Sequence, residues 1–66
     1  MDSSKLKIIA HDLNNSLSVI LGYSEEDLRK LEPDNPLRED FEEILIAAKK
    51  AIVLVRELSE LSNEKA

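Results

Sequence analysis

The chain has one histidine, His11, followed directly by Asp12 and four residues later by Asn15. On a helix, an interval of four puts two side chains on one face a single turn apart, so the Asn15 amide can hold a water or a substrate oxygen beside whatever the imidazole carries. Imidazole is mostly neutral at pH 7 and then keeps a free lone pair on one ring nitrogen, which makes it a usable nucleophile. Asp12 leaves the helix about 100° round from His11, so a hydrogen bond from a ring N–H to its carboxylate requires both side chains to lean together. Where that bond forms, it fixes the tautomer and leaves the other nitrogen to attack. An outward-facing histidine is also ordinary polar surface, and spacing alone does not choose between the two.

These side chains need an element that holds them outward. The sequence has 66 residues, 42% of them hydrophobic, with one Gly and no Cys. The Ile, Leu and Val content is too high for a disordered tail, the single Gly argues against a loop-rich β-sandwich, and the lack of Cys removes disulfide frameworks and thiolate zinc sites. An all-α domain is what remains. Nine Lys and Arg against 14 Asp and Glu give a net charge of −5, which disfavours nucleic acid and anionic membrane surfaces as partners. No run approaches the roughly 18 apolar residues of a membrane span, and Met1-Asp2-Ser3-Ser4-Lys5 lacks the apolar core of a signal peptide. A cytoplasmic location is expected.

The one break signal is Glu32-Pro33-Asp34-Asn35-Pro36. Proline disfavours helical backbone in the residue before it, and Asn35 followed by Pro36 reads as an N-cap and first helical position. One domain over 1–66 is therefore expected, with a helix over about 3–31, a loop over about 32–35 and a helix over about 36–62. Glu39 and Asp40 suit the dipole at the start of the second helix. In the first helix Leu6, Ala10, Leu13, Leu17, Ile20, Ser24, Asp27 and Leu31 step alternately by four and three, flanked by Ile9, Leu21 and Leu28. The second repeats the pattern through Leu37, Phe41, Ile44, Ala48, Ala51, Val55, Leu58 and Ser62, flanked by Leu45 and Ile52. A short connection makes the helices antiparallel neighbours, and two helices of this size leave their apolar stripes half open. The expected architecture is an antiparallel two-helix hairpin that dimerises into a four-helix bundle.

With Leu6 at zero on a helical wheel, His11 lies at roughly 140°, Gly22 at roughly 160° and Asn15 at roughly 180°, all away from the stripe. Ile8 at roughly 200° and Val19 at roughly 220° share that outer face, where a solvated helix normally carries charge. They suggest a docking surface, although single exposed apolar residues are common.

The segment Ile9-Ala10-His11-Asp12-Leu13-Asn14-Asn15-Ser16-Leu17-Ser18-Val19-Ile20-Leu21-Gly22-Tyr23-Ser24 resembles the H-box of sensor histidine kinases, which contains the phosphoaccepting histidine. Asp40-Phe41-Glu42-Glu43-Ile44, Ala47-Ala48-Lys49-Lys50-Ala51 and Leu54-Val55-Arg56-Glu57-Leu58 resemble the second helix of the same dimerisation and histidine phosphotransfer domain. The resemblance implies that His11 attacks the γ-phosphate of ATP, that Asp12 assists as general base, and that Asn15 occupies the position linked to dephosphorylating a partner. It places Ile8, Val19 and Gly22 where a response-regulator receiver domain docks, and makes the protein a homodimer serving two-component signalling. The chain has no Gly-rich nucleotide-binding segment, so no cofactor is expected on it. ATP and Mg²⁺ are implied on a separate catalytic domain, and this chain is not a complete enzyme. Ser16 stands where many relatives have proline, and Glu26 and Asp27 where apolar residues are common. The other readings are a bundle that only dimerises and transmits a signal, and a freestanding phosphotransferase relaying phosphate between receiver domains.

Overall fold

Pro33 and Pro36 separate two long helices, α1 (Ser3–Lys30) and α2 (Leu37–Glu64). The computed structural model describes residues 3–64 and the side-chain surroundings of 4–61; Met1, Asp2, Lys65 and Ala66 lie outside the described residues, as does the side chain of Ser62. Among the described residues there is no strand, and the fold is an all-α hairpin 50 Å long and 14 Å across.

The connection is held by four sets of hydrogen bonds. The Leu31 N–H donates to the Asp27 carbonyl at 3.1 Å, carrying the helical ladder one residue past Lys30. The Asn35 N–H donates to the Glu32 carbonyl at 3.0 Å, closing a turn whose second residue is Pro33, where a fixed φ near −65° is wanted. Asn35 then caps α2: its Oδ1 accepts from the Leu37 N–H at 2.9 Å, and its carbonyl accepts from the Arg38 N–H at 3.1 Å. Pro36 sits between them, where a missing N–H costs nothing. Finally, Arg38 reaches back to α1, its Nη1 donating to the Leu28 carbonyl at 2.8 Å and the Leu31 carbonyl at 3.2 Å. Carbonyls in the last turn of a helix have no intrahelical partner, so this guanidinium satisfies the end of one helix from the start of the next.

The apolar stripe divides along its length. In α1 the positions shielded from solvent include Leu6, Ala10, Asn14, Leu17, Leu21, Ser24 and Leu28, with Leu31 just beyond its end; in α2 they include Phe41, Leu45, Ala48, Ile52, Val55 and Ser59. The expected seam is thereby corrected at several places. Leu13 and Ile20 remain 43% and 47% exposed, Leu37 and Ile44 remain 51% and 42% exposed, and Ile9 is open as well. Asn14, absent from the expected seam, is half-buried. Two cylinders meet along a line, so α2 covers one side of the stripe and leaves the other bare. Small residues mark the closest approach: Ala10, Ser24 and Ala48 are at most 4% exposed, and no large side chain is fully buried.

Ser16 causes no interruption of α1. Glu26 pairs with Lys30 at 3.2 Å across one turn, a solvated contact of little energetic weight. Asp27 is half-buried. Because the hairpin connection rests on Asn35 and Arg38, Asn35→Ala and Arg38→Met are each expected to lower stability by about 1 kcal/mol, read from urea denaturation at one fixed chain concentration.

Candidate functional site

His11 stands on the exposed side of α1, four turns or more from the connection, with no break in the helix on either side of it. Asn15 is one turn farther on, and because Cβ bonds tilt toward a helix N-terminus its side chain leans back over His11. Its Nδ2 lies 3.4 Å from the His11 Nε2. That is a long contact, and the amide N–H can donate to Nε2 only in the tautomer that carries the ring proton on Nδ1.

Asp12 is exposed and makes no hydrogen bond or ion pair among the described residues. The structure therefore brings Asn15 to the ring and leaves Asp12 apart from it. Ile8 and Val19 are 61% and 58% exposed. Val19 and Gly22 come together with Ser18, Tyr23 and Glu26 around a shallow depression of about 310 Å³, whereas Ile8 lies at the other end of the face. A Cβ added to Gly22 would meet nothing within 4 Å, and its φ is not positive. Neither packing nor backbone conformation in this chain calls for glycine there.

On the α2 side, His11 borders a groove of about 420 Å³ between the helices. Lys7, Ala10 and Asn14 line it from α1, and Val55, Arg56 and Ser59 from α2. Ala10 is buried there, Asn14, Val55 and Ser59 are half-buried, and Lys7, His11 and Arg56 are exposed. The groove residues and the bare apolar flank fall on opposite edges of the stripe: Lys7 and Asn14 lie clockwise of Ala10 on the wheel, Leu13, Ile20 and Ile9 anticlockwise. The hairpin thus carries His11 and its groove on the side away from the open flank of the stripe, a side that also bears Ile8 and Val19.

Sequence reading missed Lys7, Asn14, Arg56 and Ser59 because it took the His11 face from α1 without setting α2 beside it. A signal existed. Folding the chain back at Pro33 and Asp34 places position 11 opposite Arg56 and Glu57, and an antiparallel pair in register then supplies the second wall. Among the described residues no three His, Asp or Glu side chains are grouped to hold a metal ion, and no helix is long and apolar enough to cross a membrane.

Since Gly22 sits in mid-helix with open space around it, Gly22→Ala is expected to raise stability by about 0.5–1 kcal/mol. Thermal and urea unfolding at matched concentration check this, and a loss of stability would show the face to be packed against something.

The His Kinase A (phospho-acceptor) domain family matches the chain over residues 5–66. Comparisons with curated proteins and with solved structures find no match. The family match spans both helices, the connection and the His11 face, and the two-helix architecture agrees with it. The chain belongs to the His kinase A phospho-acceptor domain family, whose members provide the phosphoacceptor and dimerisation domain of histidine kinases in two-component signalling.

Proposed function

We propose that His11 is the residue that takes up the phosphoryl group. The observation that carries this is that the sole histidine of a phosphoacceptor domain stands exposed on the outer face of α1, with the Asn15 amide 3.4 Å from its Nε2. The Nε2 lone pair attacks the γ-phosphorus of ATP held, with its Mg²⁺, by a separate catalytic domain. A P–N bond forms, the bond from phosphorus to the ADP oxygen breaks, and ADP leaves. Asp12 reaches the ring by rotating its side chain and accepts the Nδ1 proton as positive charge develops on the imidazole. Phosphoryl transfer of this kind is chiefly positioning, and a long uninterrupted helix supplies a fixed platform.

In the second half of the scheme a receiver domain docks on the outer face over Ile8, Val19 and Gly22. A carboxylate oxygen of its acceptor aspartate attacks phosphorus as the P–N bond breaks, and Asp12 gives the proton it took back to Nδ1, returning His11 to neutral imidazole. Asn15 holds the water that later hydrolyses the regulator's acyl phosphate. Two copies of the chain pair through the open apolar flank to form a four-helix bundle, leaving each His11 face outward. The domain works in the cytoplasm or in the cytoplasmic portion of a membrane sensor.

The test is to incubate the purified chain with a separately expressed histidine-kinase catalytic domain and γ-labelled ATP. Acid-labile label on the wild-type chain and none on His11→Gln is expected. Label that persists in His11→Gln would remove His11 from the role. No label on a folded chain, beside a catalytic domain shown to be active, would favour a bundle that only dimerises and transmits a signal. Asn15→Ala is expected to keep the label while slowing dephosphorylation of a phosphorylated receiver domain by at least about tenfold, measured as release of inorganic phosphate.

A further inference from the structure

On a chain of net charge −5, the groove beside His11 is lined by two cations and no carboxylate. Lys7 comes from one turn before His11 on the same helix, and Arg56 from α2 across the groove. Both side chains are exposed. The ion pair among the described residues is that of Lys30 with Glu26, well along α1 from the groove, so Lys7 and Arg56 are uncommitted. Glu57 and Glu60 neighbour Arg56 on α2, yet neither is within ion-pair distance of it. Two unpaired cations facing one groove at the chain's single histidine have the chemistry to bind an anion there.

We propose that Lys7 and Arg56 cradle the phosphoryl group carried on Nε2 of His11. This rests on His11 being the phosphoacceptor. A phosphoryl group on a ring nitrogen presents three terminal oxygens and close to two negative charges at neutral pH. The planar Arg56 guanidinium is suited to two of those oxygens at once, and the Lys7 ammonium to the third as a point charge. A phosphoryl group on Nε2 takes the place of the Asn15 contact, and a turn of the ring toward the groove that His11 borders brings that group to the cations. Without them, a dianion would be added to a chain of net charge −5 with no cation facing it in the groove.

The cradle has a kinetic consequence. In spontaneous hydrolysis, the water oxygen bonds to phosphorus as the P–N bond breaks, the ring nitrogen ends as neutral imidazole, and the phosphate departs with the remaining protons. The transition state is loose and metaphosphate-like, so cations that hold the ground-state dianion are partly released as the group leaves the ring. Binding of this kind lengthens the life of the phosphohistidine. Lys7 and Arg56 are positioning residues in this scheme, acting on the bound group and not on the attacking atom.

The experiment loads the whole chain with phosphoramidate, a small donor that phosphorylates histidine without ATP or a protein partner, and follows the phosphohistidine ³¹P resonance with time. Lys7→Met and Arg56→Met, which remove charge and keep an apolar stem, are each expected to shorten its lifetime about two- to fivefold. Lys7→Arg is expected to retain it. Raising salt to about 0.5 M should shorten the wild-type lifetime and not shorten that of the double Met variant, since only the former has a cation–phosphoryl attraction to screen. Equal lifetimes and equal salt responses in the wild type and the double variant would overturn the cradle. Helicity of each variant is checked by circular dichroism, and both positions are exposed, so the fold does not depend on them. Failure of ATP-dependent labelling would overturn the phosphoacceptor reading, whereas equal lifetimes after chemical loading would overturn the cradle alone.

Discussion

Two helices in contact along a single line cannot cover both sides of a broad apolar stripe, and the organisation of this protein follows from that constraint. α2 shelters one side, where Ala10, Ser24 and Ala48 let the backbones approach. The other side, with Ile9, Leu13 and Ile20 on α1 and Leu37 and Ile44 on α2, stays 42% to 51% exposed. No large side chain is fully buried anywhere in the described chain, so the hairpin has a contact line but no interior. Apolar area of this extent is ordinarily removed from water by association, and the covering we propose is a second copy, which would make a symmetric bundle.

The same division sorts the chemistry. Side chains that must meet other molecules cannot share a surface committed to packing, and His11, Asn15 and the groove residues Lys7 and Arg56 all fall outside the bare flank. An unbroken α1 holds His11 at a fixed depth and azimuth relative to α2. The connection reinforces this from a distance. With Asn35 capping α2 and Arg38 bound to two carbonyls of α1, the register that sets Arg56 across from His11 is fixed at the turn.

Local features were the most legible in the sequence. The Pro33 and Pro36 break and the Asn35 cap could be read directly, because proline geometry and side-chain capping act within a few residues. So could the outward placement of His11, Asn15, Ile8 and Val19, which needs only the helical period. The side of the stripe that α2 would choose was not legible. The wheel put Leu13 and Ala10 on one seam, but which of them is buried depends on how each helix is rotated about its own axis. Asn14 was hidden for the same reason: it is polar by type and half-buried by position. Arg38 reaching back to Leu28 and Leu31 depends on the path of the turn, and the second wall of the His11 groove depends on the pairing of residues far apart in sequence. The general-base role that the resemblance gives Asp12 has no counterpart in a hydrogen bond here, since neighbours in sequence on a helix diverge by about 100°.

The most direct test of this division is the mass of the whole chain in solution, by sedimentation equilibrium over a wide range of concentration. If the bare flank is a mating surface, the chain sediments at twice its 7.5 kDa and dissociates only on dilution, with helical content falling as it does. A species of one chain mass, stably helical up to about millimolar concentration, would contradict the account, because the exposed Ile and Leu would then be tolerated in water without a partner.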